Sequence, residues 1–235
     1  MEERVRVRDF EMHVERIGQG HNLVLLHGNG EDHAIFSGIA PALAAQYSLL
    51  LPDSRAHGKS TRGQGELTIH GMGMDLLALM DALKIPSATL VGYSDGGNIA
   101  LESALLAPER IDGLVLIGAN LHPSGLKPLV LCAMALIYAV SVVLAPFSTR
   151  HVHRKELYAL MVRQPHIASA KLKMLGHIPT LVMAGQKDVI RKNHTKRIAQ
   201  SIPGAQLRFL SGGHDLIREA GQEVTQQVLN FLSNT

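Results

Sequence analysis

The sequence predicts an α/β fold, a mostly parallel β-sheet covered by helices on both faces. Three observations carry the prediction. Short apolar runs alternate with longer helical stretches along most of the chain, the signature of repeated βα units. Two of the runs, LVLL at Leu23–Leu26 and LVLI at Leu114–Ile117, are apolar throughout rather than alternating, as strands buried on both faces must be. And 235 residues with 46% hydrophobic and 18% charged side chains suffice for one sizeable core, so residues 1–235 are expected to form a single domain.

In chain order, Val5–Arg8 and Met12–Ile17 read as a leading antiparallel hairpin, and Leu23–Leu26 as a buried strand ending at His27-Gly28. His33–Gln46 reads as a helix. Ser48–Leu51 is a strand ending at Pro52-Asp53, and Met72–Leu83 a helix that stops before Pro86. Ala88–Val91 and Gly96–Leu106 form a strand and a helix separated by a glycine-rich turn. Leu114–Ile117 and Thr180–Met183 are further strands. A helix around His194–Ser201, the strand Gln206–Leu210 and a closing amphipathic helix Leu216–Leu232 complete the pattern. Residues 120–178 break the alternation, and are expected to be an inserted cap of two or three helices within the one domain.

Inside that insertion, Leu129–Phe147 carries no charge and is long enough to cross a bilayer. A span would put the strands before and after it on opposite sides of a membrane, so no transmembrane span is expected. A helix apolar all round is otherwise buried. The expectation is a cap helix roofing the site, with Met134, Tyr138 and Met161 as liners of an apolar pocket; pairing with a second copy or contact with a membrane surface are the other readings of so apolar a segment.

Composition excludes several classes. The net charge is only +3, and the basic clusters at Arg4–Arg8 and Arg191–Arg197 lack interleaved aromatics, so nucleic acid is not an expected partner. The single cysteine, Cys132, permits no internal disulfide. MEERVRVRDF has no apolar segment of the secretory kind, and a cytoplasmic protein is the expectation. His151-Val152-His153 lacks further ligands at metal spacing, so no metal site is expected. Gly71-Met72-Gly73 lacks the spacing of a dinucleotide-binding turn.

The chemistry concentrates after the strands. Gly92-Tyr93-Ser94-Asp95-Gly96 matches G-x-S-x-G between a strand and a helix, the setting in which a serine is thrust out on a sharp turn. Serine needs a base to become a nucleophile, and the base needs an orienting carboxylate. His214, after the last strand and Ser211-Gly212-Gly213, is the candidate base. Asp188, after TLVMAG, is the candidate acid. Asp215 adjoins the histidine and is better placed as a helix N-cap. A developing oxyanion needs two backbone N–H donors, and the candidates are Asp95 and, in His27-Gly28-Asn29-Gly30, Asn29.

Together LLHGNG at Leu25–Gly30, DSRAHGKS at Asp53–Ser60, VGYSDGG at Val91–Gly97, GQKD at Gly185–Asp188 and GGHD at Gly212–Asp215 resemble the α/β-hydrolase superfamily, across nearly the whole chain except residues 120–178. The resemblance implies an eight-stranded, mostly parallel sheet and a Ser–His–Asp triad that needs no cofactor. It implies a serine hydrolase acting on a small molecule, with esters of small to medium, rather apolar substrates as the leading expectation. Amide, lactone or C–C bond hydrolysis on the same triad, or a non-catalytic receptor, are the alternatives. Asp53, Arg55 and His57 match a signature that is usually structural, with Ala56 where the family carries glycine. The elbow GYSDGG is similar to that of the valacyclovir-hydrolase and biphenyl-hydrolase-like subgroup, which leaves two roles for the Asp95 side chain: attraction of a cationic substrate group, or capping of the helix.

Overall fold

The computed structural model describes residues 1–234. Among these, eight strands, β1 (Glu2–Val7), β2 (Phe10–Ile17), β3 (Asn22–Leu26), β4 (Ser48–Pro52), β5 (Ala88–Tyr93), β6 (Ile111–Ile117), β7 (Thr180–Gly185) and β8 (Gln206–Leu210), form one sheet in the order β1-β2-β4-β3-β5-β6-β7-β8. The β1/β2 and β2/β4 pairs are antiparallel and all others parallel, as the resemblance implied. The α-helices of the described residues are α1 (Ala40–Ala44), α2 (Ile69–Ala82), α3 (Asp95–Leu106), α4 (Pro128–Leu144), α5 (Thr149–Arg163), α6 (Lys192–Ser201), α7 (Leu216–Glu219) and α8 (Gly221–Leu232).

The central strands bury both faces, which is why they read as continuous apolar runs. Val24, Leu26, Leu90, Leu114, Leu116 and Val182 point into one core with α2, α3 and α6. Leu23, Leu25, Val91, Val115, Ile117, Leu181 and Met183 point into the other with α1, α7 and α8. Each such side chain contributes roughly 1.5–3 kcal/mol by leaving water.

The order of the strands reverses at β3. The chain runs from β3 outward to β4, then returns across β3 to lay down β5 on its other side. This switch leaves the ends of β3 and β5 adjacent, with Leu26 opposite Gly92, and such a crevice at the carboxyl edge is where open α/β sheets bind ligands.

Two predicted helices are broken. His33–Gln46 is a 3₁₀ turn, His33–Gly38, capped by the Asp32 carboxylate on the Ala34 amide at 2.9 Å, and then the short α1. Pro41 has no N–H to give the carbonyl one turn back, so a continuous α-helix cannot form through it. Leu216–Leu232 divides into α7 and α8 at Ala220, whose φ of −137° is not helical. Thr68 accepts from the Gly71 amide at 2.9 Å and starts α2 three residues ahead of its predicted start.

The largest departure lies in residues 120–178, between β6 and β7. The expectation that the apolar helix is buried does not hold. Of α4 only Ser141 is buried, while Leu129, Leu136, Val143 and the following Phe147 are 86%, 66%, 68% and 83% exposed. It is α5 that lies nearer the sheet, with Leu160 buried, and α4 packs on α5.

Candidate active site

Ser94 stands between β5 and α3 with φ +54° and ψ −119°, a strained conformation for a residue with a side chain. Its neighbours explain how the strain is held. A Cβ on Gly92 would sit 2.3 Å from the Gly96 carbonyl oxygen, and one on Gly96 would sit 2.0 Å from the Leu26 carbonyl oxygen. Only glycine lets strand, turn and helix approach this closely. The Ser94 amide donates to the Ile117 carbonyl at 2.8 Å, which pins the turn to β6.

Two loops bring the partners. After β7, Gln186 and Lys187 donate backbone hydrogen bonds to Leu210 and Gly212, both at 2.9 Å, so the β7 and β8 loops are tied together. This places the buried Asp188 beside His214. Ser94 Oγ lies 2.9 Å from His214 Nε2, and His214 Nδ1 lies 2.8 Å from Asp188 Oδ1. Asp188 Oδ1 also accepts from the Ile190 amide at 2.8 Å. With Nδ1–H donating to Asp188, the Nε2 lone pair is left to accept the serine hydroxyl, the tautomer a general base needs. Burial alone lowers the His214 pKa, but the hydrogen bond and charge of Asp188 outweigh it and hold the imidazole above its ordinary value. The Tyr93 ring packs 5.5 Å from the imidazole, and a Cβ on Gly118 would approach it to 3.0 Å. Asp215 caps α7 on the Arg218 amide, as expected of it.

The loop after β3 closes over Ser94. A Cβ on Gly28 would lie 3.2 Å from Ser94 Cβ. His27 is buried, donates from Nδ1 to the Gly28 carbonyl at 2.7 Å and accepts at Nε2 from the Ser54 amide at 2.9 Å. Burial pushes its pKa down to about 4, so the ring is a neutral strut. The Asn29 side chain donates to the Leu157 carbonyl of α5 at 2.8 Å. Among the described residues, the backbone amides of Asn29 and Asp95 donate to no other group. Asp95 follows the serine in the chain, and Asn29 lies in the loop whose Gly28 packs against it.

Asp95 follows the serine in the chain and lines a narrow cavity with Gly28, Asn29, His57, Ile99 and Leu160. One carboxylate oxygen accepts from Asn98 Nδ2 at 2.9 Å; the other is buried with no partner among the described residues. Burial pushes its pKa up to about 6 against the pull of the Asn29 and Asn98 amides. Asn98 and Asn120 continue the network, with the Asn120 amide donating to Asn98 Oδ1 at 2.9 Å.

Of the predicted pocket residues, Tyr138 is on the wall of a groove that Ser94 and His214 do not line. Tyr138 sits under the Arg163 guanidinium, 5.0 Å from its ring, and lines an outer groove with Arg62, Leu67 and Lys155. Met134 and Met161 are half-buried on α4 and α5. Sequence reading missed His27 as a strut, Gly118 as the clearance for the imidazole, and Arg218, which joins Glu31 at 2.9 Å to Asp215. Only the position of His27 in the glycine loop offered a signal.

Asp53 and Arg55 are engaged with partners other than the serine. Asp53 accepts from the His33 and Lys59 amides, each at 2.8 Å, and from His33 Nδ1 at 2.7 Å, with His13 at 3.3 Å. His13, His33 and Asp53 are close enough for a metal, but the carboxylate is already occupied by those amides and the group reads as a buried hydrogen-bonded knot. Arg55 is paired to Asp75 through two bonds of 2.8 Å. Ala56 has φ +62°, so the loop takes the left-handed conformation even without the family's glycine.

Comparison with known proteins agrees with this fold. A family model described as the alpha/beta hydrolase fold matches residues 22–133. The chain is 31% identical to the dihydrolipoyllysine-residue acetyltransferase component of an acetoin cleaving system from Pseudomonas putida, over 91% of this chain, and spans 64% of that protein's length. It is 37% identical to a pimeloyl-[acyl-carrier protein] methyl ester esterase from Aeromonas hydrophila over 46% of this chain and 41% of that one. The solved enol-lactonase from Burkholderia xenovorans superposes with a TM-score of 0.82 at 25% identity, covering 98% of this chain and 100% of that one.

Proposed function

We propose that this chain, which belongs to the α/β-hydrolase superfamily, is a serine hydrolase that cleaves carboxylic esters of small to medium, rather apolar substrates through an acyl-enzyme. The observation that carries the reading is the unbroken relay from Ser94 Oγ through His214 to the buried Asp188, at 2.9 and 2.8 Å. A methyl ester esterase and an enol-lactonase among its relatives both act on ester linkages by name, which supports esters over other acyl bonds.

In this reading the Ser94 oxygen adds to the ester carbonyl carbon while its proton moves to His214 Nε2. Asp188 stabilises the imidazolium and keeps the ring oriented. The carbonyl oxygen takes up negative charge facing the amides of Asn29 and Asp95, which have no competing acceptor. The imidazolium then protonates the departing alkoxide and leaves an acyl-serine. Water adds to that acyl group as its proton passes to His214, and collapse returns the proton to Ser94 and releases the acid.

A series of p-nitrophenyl esters from acetate to dodecanoate tests the proposal. Turnover should be highest for the shorter acyl chains and fall about 10,000-fold or more in Ser94→Ala. Absence of turnover on the whole series, or full turnover by Ser94→Ala, would overturn it.

A further inference from the structure

We propose that α4 is an interfacial anchor that docks the molecule on an anionic phospholipid bilayer, lying in the headgroup plane rather than crossing the membrane. The first observation is an exposed helix that is apolar all round. Pro128–Phe147 has a mean hydropathy of 2.5 and is 6% buried. Its outward stripe, Leu129, Leu136, Val140, Val143 and Phe147, recurs at the spacing of one helical face, and every member is exposed. A surface helix ordinarily turns a polar side to water; α4 is apolar on every side, so its outward face is apolar too, and a contiguous exposed apolar face marks an interaction surface.

The second observation is charge. Residues 120–178 hold seven Lys or Arg and one acidic residue, Glu156, so the remainder of the chain is net acidic. Glu156 is itself paired with Arg62. Lys127 precedes α4, and Arg150, Arg154, Lys155 and Arg163 lie on the packed neighbour α5. Arg154 and Arg163 stand over the Tyr158 and Tyr138 rings rather than beside carboxylates. An apolar strip bordered by cations matches the headgroup boundary of an anionic bilayer. A second copy in the same place would set the same cations against one another.

Crossing is disfavoured by topology. Strands β6 and β7, on either side of the insertion, are hydrogen-bonded neighbours, with Val115 opposite Leu181. A crossing α4 would need a return crossing, and α5 with its four cations cannot supply one. This inference does not depend on the hydrolase reading.

The test is cosedimentation of the full chain with phosphatidylcholine vesicles, with and without phosphatidylglycerol. Binding should require phosphatidylglycerol and fall with added salt, and each cation removed among Arg150, Arg154 and Lys155 should weaken it roughly fivefold. The chain has no tryptophan, so Leu136→Trp is a clean reporter whose emission should shift to the blue on binding. Leu136→Asp/Val140→Asp/Val143→Asp should abolish sedimentation while hydrolysis of a soluble ester and the melting temperature are kept. No sedimentation with either vesicle, an unshifted emission from the Leu136→Trp protein, or undiminished binding by the triple variant would overturn the proposal. So would a concentration-dependent dimer that the triple variant dissolves without any vesicle binding, which would make a second copy the occupant.

Discussion

The carboxyl edge of the sheet and the helical insertion obey opposite rules. At the edge, the polar groups of the relay are held by hydrogen bonds: His27 uses both ring nitrogens, Asp188 Oδ1 takes two donors, and His214 is bonded on each side. In α4 the apolar atoms are the exposed ones and Ser141 the buried one. The first region uses packing to fix reactive groups in one geometry. The second keeps an apolar surface in water that nothing within the described chain covers. The difference separates a region ordered by its own contacts from one whose apolar face is left for the bilayer contact proposed above.

The sharpest way to break the comparison is to loosen the edge without unfolding it. Asp188→Asn should lower kcat/KM about 10,000-fold and leave circular dichroism unchanged. Its pH profile carries a second signature. Because His214 is held above its ordinary value chiefly by Asp188, against the opposing effect of burial, the wild-type rate should rise with pH through a limb above the ordinary imidazole value, as the base loses its proton. Without the Asp188 charge that limb should move down.

A paired truncation comes next. Leu90→Ala, in the core, should cost about 2–5 kcal/mol in denaturant unfolding. Leu136→Ala, in α4, should stay within about 0.5 kcal/mol. Equal costs at the two sites would erase the distinction between the regions.

Asp95 gives a smaller, pH-dependent effect. A carboxyl whose folded pKa is raised to about 6 by burial destabilises the fold once ionised. The penalty enters as pH rises above the unfolded value and levels off once pH has passed the folded one. Asp95→Asn should therefore be more stable than wild type by about 3 kcal/mol near neutral pH, with the gain fading as the solution is acidified toward the ordinary carboxylate range. The smallest effect belongs to Ala56. Replacement by glycine relieves the left-handed φ of +62° and should add about 0.5–1 kcal/mol, seen as a raised melting temperature.

The same contrast explains what could be read from the chain. Strands such as Leu23–Leu26 announce themselves because burial on both faces forces an unbroken apolar run. Ser94 and the glycines around it are legible because close backbone approach admits no other residue. Asp188 and His214 follow from their positions after β7 and β8. Periodicity failed where one local residue overrules it, as Pro41 does in the predicted His33–Gln46 helix. It failed again at α4, because an all-apolar sequence says that a surface must be covered and not by what. His27 as strut and Arg218 as bridge depend on partners 27 and 187 residues away, a distance no local pattern carries.

The measurement that bears most directly on the central claim is labelling with a fluorophosphonate followed by peptide mass mapping. The account predicts one stoichiometric adduct, on the peptide containing Ser94, formed far more slowly in His214→Ala and lost in Ser94→Ala. An unlabelled wild-type protein, or an adduct that persists in Ser94→Ala, would contradict it.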